Sequence, residues 1–126
     1  MGGLGRILVV EDEDDIRMLF AVWLEQSGFD VIEAHDGAEG ISRAITLQPK
    51  AILMDVAMPR MNGLEATRRL RMDESTAQIP ILVVSAHTSA LDRERAFEAG
   101  ADEFLGKPCD LELMTSRLRH FVPQGR

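Results

Sequence analysis

Cysteine is almost absent: Cys109 is the single one in 126 residues. No internal disulfide is available, which excludes a disulfide-stapled secreted scaffold and any zinc centre built on paired cysteines, and points to a reducing cytosol. Positive charge is scarce as well. With 14 Lys plus Arg against 21 Asp plus Glu the net charge is -7, and the short patch Arg68, Arg69, Arg71 is too small for direct nucleic-acid binding. No apolar run approaches the ~20 residues that span a bilayer. The first residues lack a signal peptide's basic segment and cleavage site, and Gly2 fails the myristoylation pattern because Arg6 stands where Ser or Thr is required. A cytoplasmic protein without membrane attachment is expected. No linker or repeat divides the chain, so 1–126 reads as one domain. At that size about two-thirds of the unfolded surface can be buried, enough for a core without metal or disulfide.

What is present is an alternation of short apolar runs with helical patterns. Ile7 to Val10, Val31 to Ala34, Ala51 to Met54, Ile81 to Val84 and Phe104 to Leu105 read as five buried strands. A helix follows each. The first carries the stripe Ile16, Leu19, Phe20, Trp23, Leu24 and ends at Gly28, a left-handed C-cap. Weaker patterns cover 38–47, 64–72 and 91–99, and the last helix starts at the N-cap Asp110 with Leu111, Met114, Leu118 and Phe121 on one face. Such alternation predicts an α/β fold whose parallel sheet is covered on both sides. In doubly wound sheets the ligand site lies beyond the carboxyl ends of the strands. There the chain places Glu11, Asp12 and Glu13, then Asp55, Ser85, and Lys107 with Pro108.

Acids gathered at one sheet edge repel each other and call for a cation or a raised pKa. A hard divalent ion such as Mg²⁺ suits oxygen ligands and keeps several waters. The same acids argue against a bound nucleotide or flavin phosphate, since Gly2, Gly3 and Gly5 precede the first strand and form no phosphate loop. Asp55 is the best nucleophile, Lys107 a point charge for a phosphoryl oxygen, and Ser85 a hydroxyl donor. Phosphoryl transfer needs mainly positioning and charge neutralisation, and these residue types supply both. Asp14 and Asp15 read as ordinary helix N-terminal acids, His87 as surface loop beside Ser85, His35 and His120 as solvated, and Met54, Met58 and Met61 as packing.

The stretches ILVVEDEDD, ILMDVAMPRMNGLEATRRLR, IPILVVSAH and GADEFLGKPCDLELM resemble the receiver domain of two-component response regulators over nearly the whole chain. The resemblance implies a flavodoxin-like (βα)5 fold of sheet order 2-1-3-4-5 and an Asp55 phosphoacceptor. It implies Mg²⁺ on Glu11, Asp12, Asp55 and the backbone carbonyl of Ala57, phosphate contacts from Ser85 and Lys107, and a cis Lys107-Pro108 bond. The phosphodonor is then a histidine kinase or histidine phosphotransfer protein. Output passes to a protein target, with a phosphorylation-linked homodimer as one form of it. The switch pair is Ser85 with Phe104, and the partner surface falls around Leu91, Arg95, Phe104 and the last helix. Four positions depart from the usual pattern: Glu11 replaces Asp and reaches the metal through water, Ser85 replaces Thr, Phe104 replaces Tyr, and Cys109 replaces a bulky apolar residue. Two other readings compete. A phosphorylation-independent scaffold would keep the fold without the switch. A haloacid-dehalogenase-type phosphatase needs a proton-carrying acid where Ala57 stands. The chain stops at Pro123 to Arg126, too soon for an output domain, so it is expected to signal by docking alone or to be a fragment of a larger regulator.

Overall fold

The computed structural model describes residues 5–122, so Gly2, Gly3 and Pro123 lie outside the described residues. Strands and helices alternate as β1 (Arg6–Val10), α1 (Asp14–Gln26), β2 (Asp30–Ala34), α2 (Gly37–Leu47), β3 (Ala51–Asp55), α3 (Gly63–Met72), β4 (Ile81–Ser85), α4 (Ala90–Ala99), β5 (Glu103–Gly106) and α5 (Leu111–Phe121). All pairings are parallel and the sheet order is β2-β1-β3-β4-β5. The strands reach one residue further than the apolar runs suggest, taking in the polar ends Asp55 and Ser85, each only 4% exposed. Residues alternating along each strand feed two cores. One joins Leu8, Ile52, Met54, Ile81 and Val83 to Ala66 and Leu70 of α3 and Ala96 of α4. The other joins Ile7, Val9, Leu53, Leu82 and Val84 to Phe20 and Leu24 of α1 and Met114 and Leu118 of α5. No helix among the described residues is long and apolar enough to cross a membrane.

Side-chain caps set the starts of α3, α4 and α5. Asn62 accepts from Leu64 and Glu65 N–H, Ser89 and Asp92 form a reciprocal capping box, and Asp110 accepts from Glu112 and Leu113 N–H. Gly28 has φ 105, and the N–H of Phe29 returns to Leu24 O, as a left-handed C-terminus requires.

Two sequence expectations need correction. Leu19 is 53% exposed despite belonging to the apolar stripe of α1: it lines a surface groove with Lys107, Pro108 and Leu111. β2 is not a buried strand: only Ala34 is fully covered. It is one of the sheet's two edge strands, the other being β5.

Trp23 closes the seam between α1 and α5. Its indole N–H donates to Thr115 Oγ1 at 2.6 Å, and that hydroxyl donates in turn to Leu111 O at 2.8 Å. Trp23→Phe keeps most of the ring and deletes the donor, so urea denaturation should show a loss of about 1 kcal/mol. An unchanged midpoint would mean the bond contributes nothing net.

Candidate functional site

Strand order reverses at β1, whose two neighbours are β2 and β3. Val10 of β1 pairs with Met54 of β3, so the next residues, Glu11 and Asp55, emerge side by side. Ser85 pairs with Gly106, which brings Lys107 out beside Ser85, and the Lys107 N–H donates to Ser85 O at 2.8 Å. Sheet register alone therefore assembles residues separated by up to 96 positions. The Lys107-Pro108 bond is cis.

Glu11, Asp12 and Asp55 each offer a carboxylate oxygen within 4.8 Å of the others. Glu11 is 1% and Asp55 4% exposed. One ammonium serves two of them: Lys107 Nζ lies 2.7 Å from Asp55 Oδ1 and 3.0 Å from Glu11 Oε1. The second Glu11 oxygen accepts the Glu13 N–H at 3.1 Å. Burial pushes the Asp55 carboxyl above its usual range, and Asp12 and Glu13 add to this, while Lys107 opposes it. Burial likewise raises Glu11, with the Glu13 N–H and Lys107 opposing and Asp55 reinforcing. Burial works against the Lys107 ammonium, yet its bonds to Asp55 and Glu11 together outweigh that and raise its pKa.

This donor set fits a hard divalent cation: every ligand atom is a carboxylate oxygen, and three acids against one ammonium leave excess negative charge. Glu11 already accepts two hydrogen bonds, so it addresses a cation best through water. The carboxylate of Asp12 makes no hydrogen bond among the described residues and is the ligand most available. Ala57, whose carbonyl the family resemblance implies as a ligand, is exposed in the loop after β3.

Ser85 Oγ accepts the His87 N–H at 3.0 Å, leaving its own hydrogen to donate elsewhere. A cavity of about 110 Å³ adjoins it, lined by Ser85, His87, Asp92, Arg95 and Phe104 among others. Phe104 is only 4% exposed, and the Arg93 guanidinium stacks over its ring at 4.8 Å. Leu91, 51% exposed, and Arg95 face solvent, whereas Phe104 lies beneath Arg93 in this conformation. His87 and His120 are exposed; His35 is also largely exposed but sits 3.4 Å from Asp36 and 3.5 Å from Glu39. Cys109 is half-buried in the wall of an apolar groove with Leu19, Phe20 and Pro108, and burial raises its thiol pKa.

Two contributors escaped the sequence reading. Gly63 opens α3 directly against the phosphoacceptor candidate: an added Cβ would come within 2.0 Å of Asp55 O. Arg17 donates to the Glu11 carbonyl at 2.9 Å. Gly63 could have been suspected from its place just after the N-cap Asn62. Arg17 offers only the weak signal of a cation directly after the acidic run 11–15.

The molecule is a five-stranded doubly wound α/β domain with three acids and a lysine gathered at its switch point. The chain matches the response regulator receiver domain over residues 7–119, and it belongs to that family, the receiver module of two-component signalling. It is 41% identical over 114 residues to the DNA-binding dual master transcriptional regulator RpaA of Synechocystis, covering 90% of this chain and 47% of that protein. It is 40% identical over 114 residues to the response regulator MprA of Mycobacterium avium, covering 90% and 49%. The chain thus spans about half the length of the curated relatives it matches. Among solved structures, the chemotaxis protein CheY4 of Vibrio cholerae superposes with a TM-score of 0.89 at 29% identity over 94% of this chain and 99% of that one. The receiver domain of the sensor histidine kinase PA1611 of Pseudomonas aeruginosa, solved with magnesium in its active site cleft, gives 0.86 at 30% identity over 93% and 96%.

Two predictions follow from the packing and charge of the site. Gly63→Ala forces the start of α3 away from Asp55 O, so its urea midpoint should fall by an amount equivalent to about 1–3 kcal/mol; wild-type stability would show that the loop yields freely. For Asp55, a folded-state pKa above the unfolded one means the folded chain binds more protons, so ionisation costs stability at neutral pH. That cost vanishes as pH falls through the folded value toward the unfolded one. In metal-free buffer Asp55→Asn should therefore raise the urea midpoint at pH 7, with a smaller gain near pH 4. A lower midpoint at pH 7 would show that the Lys107 pair outweighs burial.

Proposed function

We propose that residues 1–126 act as one phosphorylation-activated receiver unit in which Asp55 takes a phosphoryl group from a histidine kinase or histidine phosphotransfer protein. The observation that carries this reading is the Lys107 ammonium at 2.7 Å from Asp55 Oδ1, with Glu11 and Asp12 beside it. An Asp55 oxygen attacks phosphorus, the phosphorus–nitrogen bond of the donor phosphohistidine breaks, and the imidazole leaves with that electron pair. Glu11, Asp12, Asp55 and the Ala57 carbonyl would hold Mg²⁺, which when bound would neutralise charge on the transferring oxygens. Lys107 keeps the acceptor carboxylate oriented and then follows the new anion. The Ser85 hydrogen, uncommitted in the structure, donates to a phosphoryl oxygen.

The output reading rests on the same neighbourhood. Movement of Ser85 changes the cavity it shares with Phe104, and repacking there alters the outer face of α4, β5 and α5, through which a protein target or a second copy binds. Dephosphorylation needs water to approach past residues 57 and 87, and Ala57 leaves that path wide.

An acyl-phosphate donor with Mg²⁺ should add one hydroxylamine-labile phosphoryl group, seen by intact mass. Asp55→Asn should lose it, and Asp12→Ala should lose its Mg²⁺ dependence. Ser85→Ala should still react but lose most amide shifts near Phe104 and α5 on adding beryllofluoride, an acyl-phosphate mimic. A stable phosphoester on Ser85, or no mass gain at all, sinks the mechanism.

A further inference from the structure

We propose that Arg17 is a positioning residue that holds the acidic loop after β1 in its metal-ready arrangement, an inference that rests on the functional reading above. Its side chain is 14% exposed and its three nitrogens reach three different places. Nη1 donates to the Glu11 carbonyl at 2.9 Å, Nε to Glu33 Oε1 on β2 at 3.0 Å, and Nη2 to Asp14 Oδ1 at 2.6 Å. The guanidinium therefore bolts the loop to the edge strand from one side while binding its own helix start on the other. A guanidinium presents its donors from three nitrogens in a rigid plane, whereas an ammonium presents its three from one rotatable nitrogen and cannot span acceptors so far apart.

The loop needs such a tie. Residues 11–15 are five consecutive acids, Glu-Asp-Glu-Asp-Asp, whose mutual repulsion favours splaying. The Glu11 N–H is held by Ala34 O at 3.0 Å, its carboxylate by Glu13 N–H and Lys107, and its carbonyl by Arg17. The Glu11 carbonyl belongs to the peptide that leads into Asp12, so fixing it sets the direction from which the Asp12 carboxylate enters the site. Partners of this kind orient a metal ligand without touching the metal.

Electrostatics and positioning predict opposite signs. A cation beside three carboxylates repels Mg²⁺, so if Arg17 acted only as charge its removal would tighten binding. If it positions, removal weakens binding. The experiment is a Mg²⁺ titration of the full chain followed by the amide shifts of Asp12 and Asp55. For Arg17→Gln the dissociation constant should rise about tenfold. The pair Arg17→Gln with Glu33→Gln removes one charge of each sign, leaves net charge unchanged, and should show a similar rise. Arg17→Lys, which keeps the charge without the fork, should fall between wild type and Gln, and it decides the matter by the same criterion if Arg17→Gln does not fold. An unchanged or lower dissociation constant overturns the proposal. Wild-type protein that binds no Mg²⁺ overturns the functional reading and this one with it, whereas wild-type binding that Arg17→Gln leaves intact overturns this one alone.

Discussion

The structure is organised around a buried imbalance of charge. Glu11 and Asp55 are almost wholly enclosed, Asp12 is beside them, and a single ammonium, Lys107, is shared between two of the three. Removing two carboxylates from water costs several kcal/mol each, and the attraction of one ammonium repays this only in part. The raised pKa values of both acids express the shortfall. Such an arrangement is poor as a device for stability. It is suited to holding an unsatisfied demand for positive charge at one point, and to a chemistry in which a cation and a transferring group arrive together.

What maintains the imbalance is the sheet. Asp55 and Ser85 are the last residues of their strands, each still in the ladder, Asp55 with Val84 and Ser85 with Gly106, and each is only 4% exposed, so carboxylate and hydroxyl are held at the sheet end instead of in solvent. Gly63 packs against Asp55 O, and its own N–H donates to Val56 O at 2.9 Å, closing the loop that follows. On the other side Glu11 is bound through its N–H, its carbonyl and both carboxylate oxygens. The cost of the site is thus borne by two cores of close-packed Ile, Leu, Val and Met on the faces of the sheet, which is why a domain of this size tolerates it.

Much of this was legible in the sequence because it depends on local pattern. The apolar runs located five strands, and the rule that sites lie beyond strand ends then selected Glu11, Asp12, Asp55, Ser85 and Lys107 without any contact information. The runs could not reveal that β2 is largely uncovered, because it carries Val31, Ile32 and Ala34 much as its neighbours carry apolar residues. Leu19 misled for a related reason: helical periodicity identifies a stripe but not where the core ends and a groove begins. Arg17 and the stacking of Arg93 on Phe104 were barely legible, since a guanidinium reaches across elements to partners that sequence spacing does not mark: Glu33 on β2 and the Glu11 carbonyl for Arg17, the Phe104 ring for Arg93. The family resemblance added the sheet order and the roles, which spacing alone left open.

The coupling between this site and a distant face is limited by energy. A charge-assisted hydrogen bond is worth about 1.5–3 kcal/mol, so a phosphoryl group that gained only the Ser85 hydroxyl in one conformation would shift the two-state ratio by roughly 10- to 150-fold. A complete reversal from 1:99 to 99:1 needs about 5.5 kcal/mol. The remainder has to come from packing, and the candidates are the cavity of about 110 Å³ beside Ser85 and the Phe104 ring held under Arg93. A cation over an aromatic face contributes about 0.5–1 kcal/mol when exposed, enough to bias the ring without locking it. On these magnitudes the proposed switch is a graded shift of population, in which the unphosphorylated domain already samples the partner-binding form and the acyl phosphate multiplies its share.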